Sequence, residues 1–270
     1  FRNTLEEARP AAPPQGCFDT WVLDVGQGLS VAVETHEDVL LFDTGMAWRG
    51  GASAAEQSII PFLRSRRIRH IDRLLVSHAD LDHSGGLDAI RKEIGVASVI
   101  AGEAGITGAN ARCVAGQRWT SAGIAFDVLH PSKTMSATGN AASCVLRVST
   151  GPHGLLMTGD IEAESERSLI QSGVALTSDI MVVPHHGSLT SSTVPFTDSV
   201  RPSYAVISAG YANRWGFPKV RVVERWKAVG ADVLNTATSG AIHFRVCAQG
   251  GVRSISRERQ RRHRFWHAAT

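Results

Sequence analysis

Ten consecutive residues, SHADLDHSGG at 77–86, constrain this chain more than any other feature. They follow IDRLLVS (71–77), an apolar run that reads as a buried strand. His78, Asp80, Asp82 and His83 fall within six positions. A loop leaving a strand with such residues at i, i+2, i+4 and i+5 presents two groups to one ion and two to its neighbour. Imidazoles and carboxylates both suit a divalent cation. Gly85 and Gly86 let the backbone turn tightly into a following helix. A solvated loop with capping aspartates would account for one ligand-type residue there, not for four directly after an apolar strand.

Two distant segments join this one. TGD closes a strand at Asp160, and PHHGS closes another with His185 and His186. Asp160 by itself reads equally well as a cap, because a helix follows it. Taken with the 77–86 loop, Asp160 and the histidine pair become expected ligands, and the two oxygens of Asp160 suit a carboxylate that bridges two ions.

The rest of the pattern alternates strands and helices. FDTWVLDVG, LSVAVET and DVLLFDTG read as three short strands in a meander, and a helix over 54–66 starts after Ser53 as N-cap. VASVIAG, GIAFDVLH, SCVLRVST, HGLLMTGD, SDIMVVP, SYAVISA, ADVLNT and SGAIHFRVC continue as strands, with helices expected after Gly86, over 161–172 and over 219–229. Strands first in a meander and then alternating with helices predict two packed mixed β-sheets with helices on the outer faces, an α/β sandwich of αββα type. The polar clusters DVGQG, DTG, SHADLDHSGG, TGD, PHHGS and NRWGFP all follow strand-like runs, so loops at one rim are expected to converge.

Residues 1–16, rich in Pro, Ala and charge, read as a linker, 17–250 as the folded unit and 251–270 as a basic tail. The net charge of +3 divides into +5 from that tail and −2 for the remainder, so the body is not a basic glove for nucleic acid. A solvated arm is the favoured reading of the tail, and phosphate contact the other. No stretch approaches the ~20 apolar residues of a membrane helix. The first residue is Phe1 rather than Met, so a piece of a longer protein, whose remainder carries membrane spans, is the expectation. Cys144 and Cys247 sit in apolar runs and read as core fillers; Cys17 and Cys113 read as either paired or free.

These motifs together resemble the metallo-β-lactamase superfamily, with Asp80 standing where the second His of its His-x-His-x-Asp-His signature usually lies. DVGQG, LLFDTG, TGD, PHHGS and SAG…NRWGFP further resemble the C-terminal domain of the ComEC family of DNA-uptake channel proteins, over roughly residues 17–248. The resemblance implies one metal held by His78, Asp80, Asp160 and one of His185 and His186, and another held by Asp82, His83 and Asp160. It implies that Asp43 braces the ligand loop from behind. The family's third His has no counterpart; Asn140 and Ser143 occupy that stretch and are counted among residues that meet substrate, and Phe217 replaces a late His. The implied activity is degradation of the DNA strand that is not imported; the alternatives are a di-metal hydrolase of another ester, a lactone or a β-lactam, and a non-catalytic DNA-binding module. The implied partners are single-stranded or unwound DNA and the channel part of a bacterial inner-membrane protein, with the domain on the periplasmic face. No organic cofactor is implied.

Three aspartates against two or three histidines favour Mn²⁺, with Zn²⁺ as the competing ion. Two cations about 3.5–4 Å apart acidify a shared water and neutralise phosphate charge, which suits phosphodiester hydrolysis. Asp82 and His186 are the expected catalytic residues, His186 by protonating the leaving oxygen. Asn213 and Arg214 are candidates for gripping phosphate, and Ser188 with Thr190 for bonding its oxygens. Trp215 and Phe217 either stack on a base or pack beneath their loop.

Overall fold

Apolar runs buried on both faces set the architecture of the computed structural model, which describes residues 12–135 and 137–262. The parts of the expected linker at 1–11 and of the expected tail at 263–270 lie outside the described residues. In chain order the first strands are β1 (Cys17–Val22), β2 (Val31–Glu34), β3 (Val39–Phe42), β4 (His70–Ile71), β5 (Arg73–Val76), β6 (Gly95–Val96), β7 (Val99–Ala101), β8 (Ala111–Arg112) and β9 (Arg118–Ser121). They continue with β10 (Ile124–His130), β11 (Val145–Thr150), β12 (His153–Met157), β13 (Ile180–Val182), β14 (Tyr204–Ile207), β15 (Asp232–Asn235), β16 (Ile242–Cys247) and β17 (Gly251–Arg257). One mixed sheet runs β17-β16-β1-β2-β3-β5-β7-β8, the other β15-β14-β13-β12-β11-β10-β9, and β4 pairs with β6.

Alternation along each strand divides the side chains between two apolar layers. Leu40, Phe42, Leu75, Leu155 and Met157 face the space between the sheets, where they meet Phe18, Phe126, Leu146 and Phe244. Leu41, Leu74 and Val76 point the other way, onto helices α1 (Ile60–Ser65) and α3 (Leu87–Glu93), between which the chain forms the short α2 (Leu81–Ser84). Leu156, Met181, Ala205 and Ile207 likewise pack on α4 (Ala163–Gln171), α5 (Val194–Val200) and α6 (Val220–Ala228). The result is the expected αββα sandwich. Ser53 and Glu56 cap the first helical segment reciprocally: Ser53 N–H donates to Glu56 Oε2 (3.0 Å) and Glu56 N–H to Ser53 Oγ (3.4 Å). That segment opens with a π turn, Ala55–Ile59, before it becomes α1.

Two expectations need correction. Cys144 and Cys247 are not simple core fillers: Cys17 bonds Cys247 and Cys113 bonds Cys144. The register of β1 against β16 sets Cys17 directly opposite Cys247, a neighbour relation created by pairing across 230 residues. The solvated arm also gives way at its start. Residues Gly251–Arg257 pair with β16, and a helical turn, Glu258–Arg261, follows. Its arginines meet carboxylates: Arg257 lies 3.3 Å from Asp232, and Arg259 lies 2.7 Å from Asp24.

Candidate metal centre

β3 and β5 are parallel neighbours, so their C-terminal ends deliver Asp43 and Ser77 side by side. Asp43, at a positive φ of 60°, accepts from Ser77 N–H (2.6 Å) and Ser77 Oγ (2.8 Å), and from His83 Nδ1 (2.7 Å). Thr44 donates its N–H and hydroxyl to the carbonyl of His83 (2.7 and 2.9 Å), and Leu29 N–H donates to that of Asp82 (3.1 Å). Gly28 lies so close that a Cβ there would stand 2.5 Å from the Asp82 carbonyl oxygen, at a φ of 136°. Glycine is what lets the 26–28 turn press on the ligand loop.

Three histidines have Nδ1 committed to an acceptor, which leaves the Nε2 lone pair available. Asp43 takes that of His83. Ser208 O takes that of His186 at 2.8 Å. For His78, Ser77 Oγ accepts at 3.0 Å, its own hydrogen being spent on Asp43. All three Nε2 atoms and Asp160 Oδ1 are buried and make no hydrogen bond. Buried polar atoms are almost always satisfied, so four orphans pointing together is the signature expected of a ligand cage. His83 Nε2 lies 3.1 Å from Asp160 Oδ1, outside hydrogen-bonding geometry, and His186 Nε2 lies 3.2 Å from Asp82 Oδ2 and 3.6 Å from Asp160 Oδ2. His78, His83 and Asp160 form one potential ion-holding group, and Asp82, His83 and His186 form another. The donors present fit a divalent metal pair.

Electrostatics tighten the cluster. Burial alone would raise Asp160, yet the charges of His83, His186 and His78 hold its pKa far below the usual carboxylate range. Asp82 is lowered in the same way, with His186 outweighing burial. Burial opposes charge on His83 and His186, but Asp160, with Asp43 for the one and Asp82 for the other, raises both. His78 goes down through burial and then the neighbouring His83.

The remaining expected residues separate into near and far. Asp80 is exposed, 3.5 Å from His78 Nε2. His185 is half-buried: Nε2 stands 3.8 Å from Asp160, while Nδ1 meets Thr190 Oγ1 (3.1 Å) and Glu162 Oε1 (3.3 Å). Both histidines of the pair sit at positive φ (51° and 53°), a cost that strained site residues carry. Ser143 is fully buried, accepting from Asp160 N–H (3.0 Å) and lying 3.3 Å from His78 Nδ1, so it braces ligands instead of meeting substrate. Asn213 is likewise spent on its own loop, bonding Gly210 O, Phe217 O and Phe217 N–H. Ser188 is buried and bonds Thr190. Asn140 reaches Glu162 at 3.5 Å, and Arg214 stays exposed over the Trp215 ring. Sequence reasoning missed Thr44, Ser208 and Glu162. Glu162 carried a signal, two residues after Asp160; Ser208 becomes a partner of His186 only when parallel strands β13 and β14 align.

Fold and site together define a metallo-β-lactamase superfamily protein: the chain belongs to that family, which it matches over residues 23–211. Membership assigns it the general class of metal-dependent hydrolase. Within the family it is similar to Competence protein ComA of Neisseria gonorrhoeae, at 41% identity over 96% of this chain and 36% of that protein. Recombination protein 2 of Haemophilus influenzae is 38% identical over 83% of this chain and 28% of its own length. The chain thus spans about a third of the length of these relatives. The metallo-beta-lactamase fold protein YhfI from Bacillus subtilis shares the fold, with a TM-score of 0.53 at 11% identity, covering 81% of this chain and 95% of YhfI.

Proposed function

We propose that this chain is the metal-dependent nuclease module of a DNA-uptake protein, hydrolysing phosphodiester bonds of DNA and degrading the strand that is not imported. The observation that carries the reading is the convergence of three unpartnered imidazole Nε2 atoms with Asp160 Oδ1 inside a buried cage. Similarity to competence proteins supports the substrate class. His78 and Asp160, with Asp80 at the rim, would hold one ion; Asp82, His83 and His186 would hold the other. Two such cations supply an acidified water and charge neutralisation for the attacked phosphate. Three aspartates against three histidines favour Mn²⁺ over Zn²⁺.

The chain's own residues do the positioning. Asp43 fixes the angle of the His83 imidazole, Ser77 and Ser143 that of His78, and the Ser208 carbonyl that of His186. Half-buried His185 takes the place beside the leaving group that the sequence gives to His186, because His186 is buried, with Nδ1 spent on Ser208 O and Nε2 aimed into the cage. Two disulfides support a periplasmic setting, since such bonds persist in oxidising compartments. Among the described residues no helix is long and apolar enough to cross a membrane, so the channel partner would come from another part of a longer protein.

An assay panel tests the reading: a labelled oligonucleotide, a lactone and nitrocefin, each with Mn²⁺ and with Zn²⁺. Cleavage of the oligonucleotide alone, best with Mn²⁺ and lost in Asp82→Ala and Asp160→Ala, is expected. Turnover of lactone or nitrocefin with intact DNA would reject it.

A further inference from the structure

We propose that Trp48, Tyr211 and Trp215 form a base-stacking collar around this site, which selects unpaired nucleic-acid strands by their bases. The inference rests on the nuclease reading and specifies how its substrate is held. Among the described residues the exposed large aromatics are these three, at 40%, 71% and 39% exposure. All three lie on loops that leave β3 and β14, the strands paired with β5 and β13, whose ends carry ligands of the cage.

Trp48 sits on the loop after β3 and Asp43. That loop touches the ligand loop, because a Cβ on Gly85 would stand 2.3 Å from Ala47 N. Tyr211 and Trp215 sit on the loop after β14. Its first residue, Ser208, holds His186 by its carbonyl and the 26–28 turn by its hydroxyl, which donates to Gly28 O at 2.7 Å. Asn213 clamps this loop to Phe217, whose ring meets that of His185 at 5.9 Å between centroids. The aromatic rings are therefore mounted on braced backbone beside the cage.

Charge explains why bases are the handle. The chain outside its last twenty residues carries −2, and exposed Asp80 and partly buried Glu162 stand beside the histidines of the site. The cations on the aromatic loops are few: exposed Arg49 beside Trp48, Arg214, whose guanidinium lies 4.2 Å over the Trp215 ring, and Lys219, whose Nζ is spent on Trp215 O at 2.6 Å. An aromatic face with an arginine against it is a combination that single-strand binders use. Stacking needs an open base face, which a duplex hides, and every base offers one, so selection is for unpaired strand and not for sequence.

The test is fluorescence anisotropy on the 270-residue chain, with Ca²⁺ replacing Mn²⁺ so that binding is read without turnover. Three labelled probes share one length: oligothymidylate, the same backbone without bases, and a duplex. Oligothymidylate is expected to bind at least about fivefold more tightly than either other probe. Its salt dependence should be shallow, at roughly −0.7 in log–log slope for each phosphate contact and no more than two contacts. Trp215→Ala and Tyr211→Ala should each weaken it about 5- to 100-fold. Trp215→Phe should recover most of the loss, and Ile255→Ala, exposed on β17, should change nothing. Equal binding of base-bearing and abasic strands, or indifference to Trp215→Ala and Tyr211→Ala, would overturn the collar. Mn²⁺-dependent cleavage of the same probes separates the two readings. Stacked binding without cleavage leaves the collar standing and removes the nuclease; equally fast cleavage of the abasic strand does the reverse.

Discussion

Asp43 shows how much of this centre depends on one side chain that touches no proposed ion. Its carboxylate receives two hydrogen bonds from Ser77 and one from His83, all within the buried base of the cage. Asp43→Asn keeps the shape but loses one acceptor, so metal affinity should fall roughly 10- to 100-fold, read by competition against a chelating dye. Unchanged affinity would mean that His83 orients itself. Glycines supply a second contrast. Gly26→Ala and Gly28→Ala should each cost about 1–2 kcal/mol for an unfavourable backbone. Only Gly28→Ala should also weaken metal binding, since only there does a Cβ meet the Asp82 carbonyl. At this scale the sequence was a good guide to the residues, because four of them stand together at 78–83 and the others follow apolar strands. It was a poor guide to what each does. Ser143 and Asn213 look like surface polar groups until their hydrogen bonds are seen, and the choice between His185 and His186 depends on which ring reaches Ser208.

The segment from Cys113 to Cys144 links the edge of one sheet to the cage. Cys113 bonds Cys144, whose N–H donates to Ser77 O at 3.0 Å and whose neighbour Ser143 supports His78 and Asp160. Replacing both cysteines by Ala should cost about 2–4 kcal/mol in urea unfolding and should weaken metal binding in the same protein. Loss of stability with unaltered metal affinity would show that the bond acts only on the unfolded chain. Elements with both faces buried were legible as continuous apolar runs, as in β3, β5, β12 and β13. The strands missed are those that bury little; the missed helix Val194–Val200 is short, with only seven residues to show a period. β8 and most of β9 are exposed or half-exposed, and β17 carries Arg253 and Arg257, which read as tail. Such strands are set by pairing with a neighbour and leave no hydrophobic period to read.

For the molecule as a whole, closure depends on β1 lying beside β16. Cys17–Cys247 fastens that pair across 230 residues, and Arg245 holds Asp19 by two hydrogen bonds of 2.7 Å. Burial pushes the Asp19 carboxyl up, but Arg245 and His243 outweigh it, so its pKa lies below the ordinary 3.8. A carboxylate depressed in the folded state stabilises the fold at neutral pH. That contribution is lost as pH falls below about 4 and through the folded value. Arg245 is partly exposed, so the pair is worth on the order of 2 kcal/mol, between exposed and buried limits. Asp19→Asn should remove this amount at pH 7 in urea melts and leave a smaller difference from wild type at pH 3, shrinking further as pH falls. An undiminished difference at pH 3 would assign the loss to packing. The sandwich brings strand ends from both sheets to one rim, where the ligand cage lies. Metal stoichiometry of the purified chain, by elemental mass spectrometry after equilibration with Mn²⁺, is the most direct test. Two ions per chain, falling to one or none in Asp160→Ala, is the expected result; no bound metal in the wild type, or two ions retained without Asp160, would contradict it.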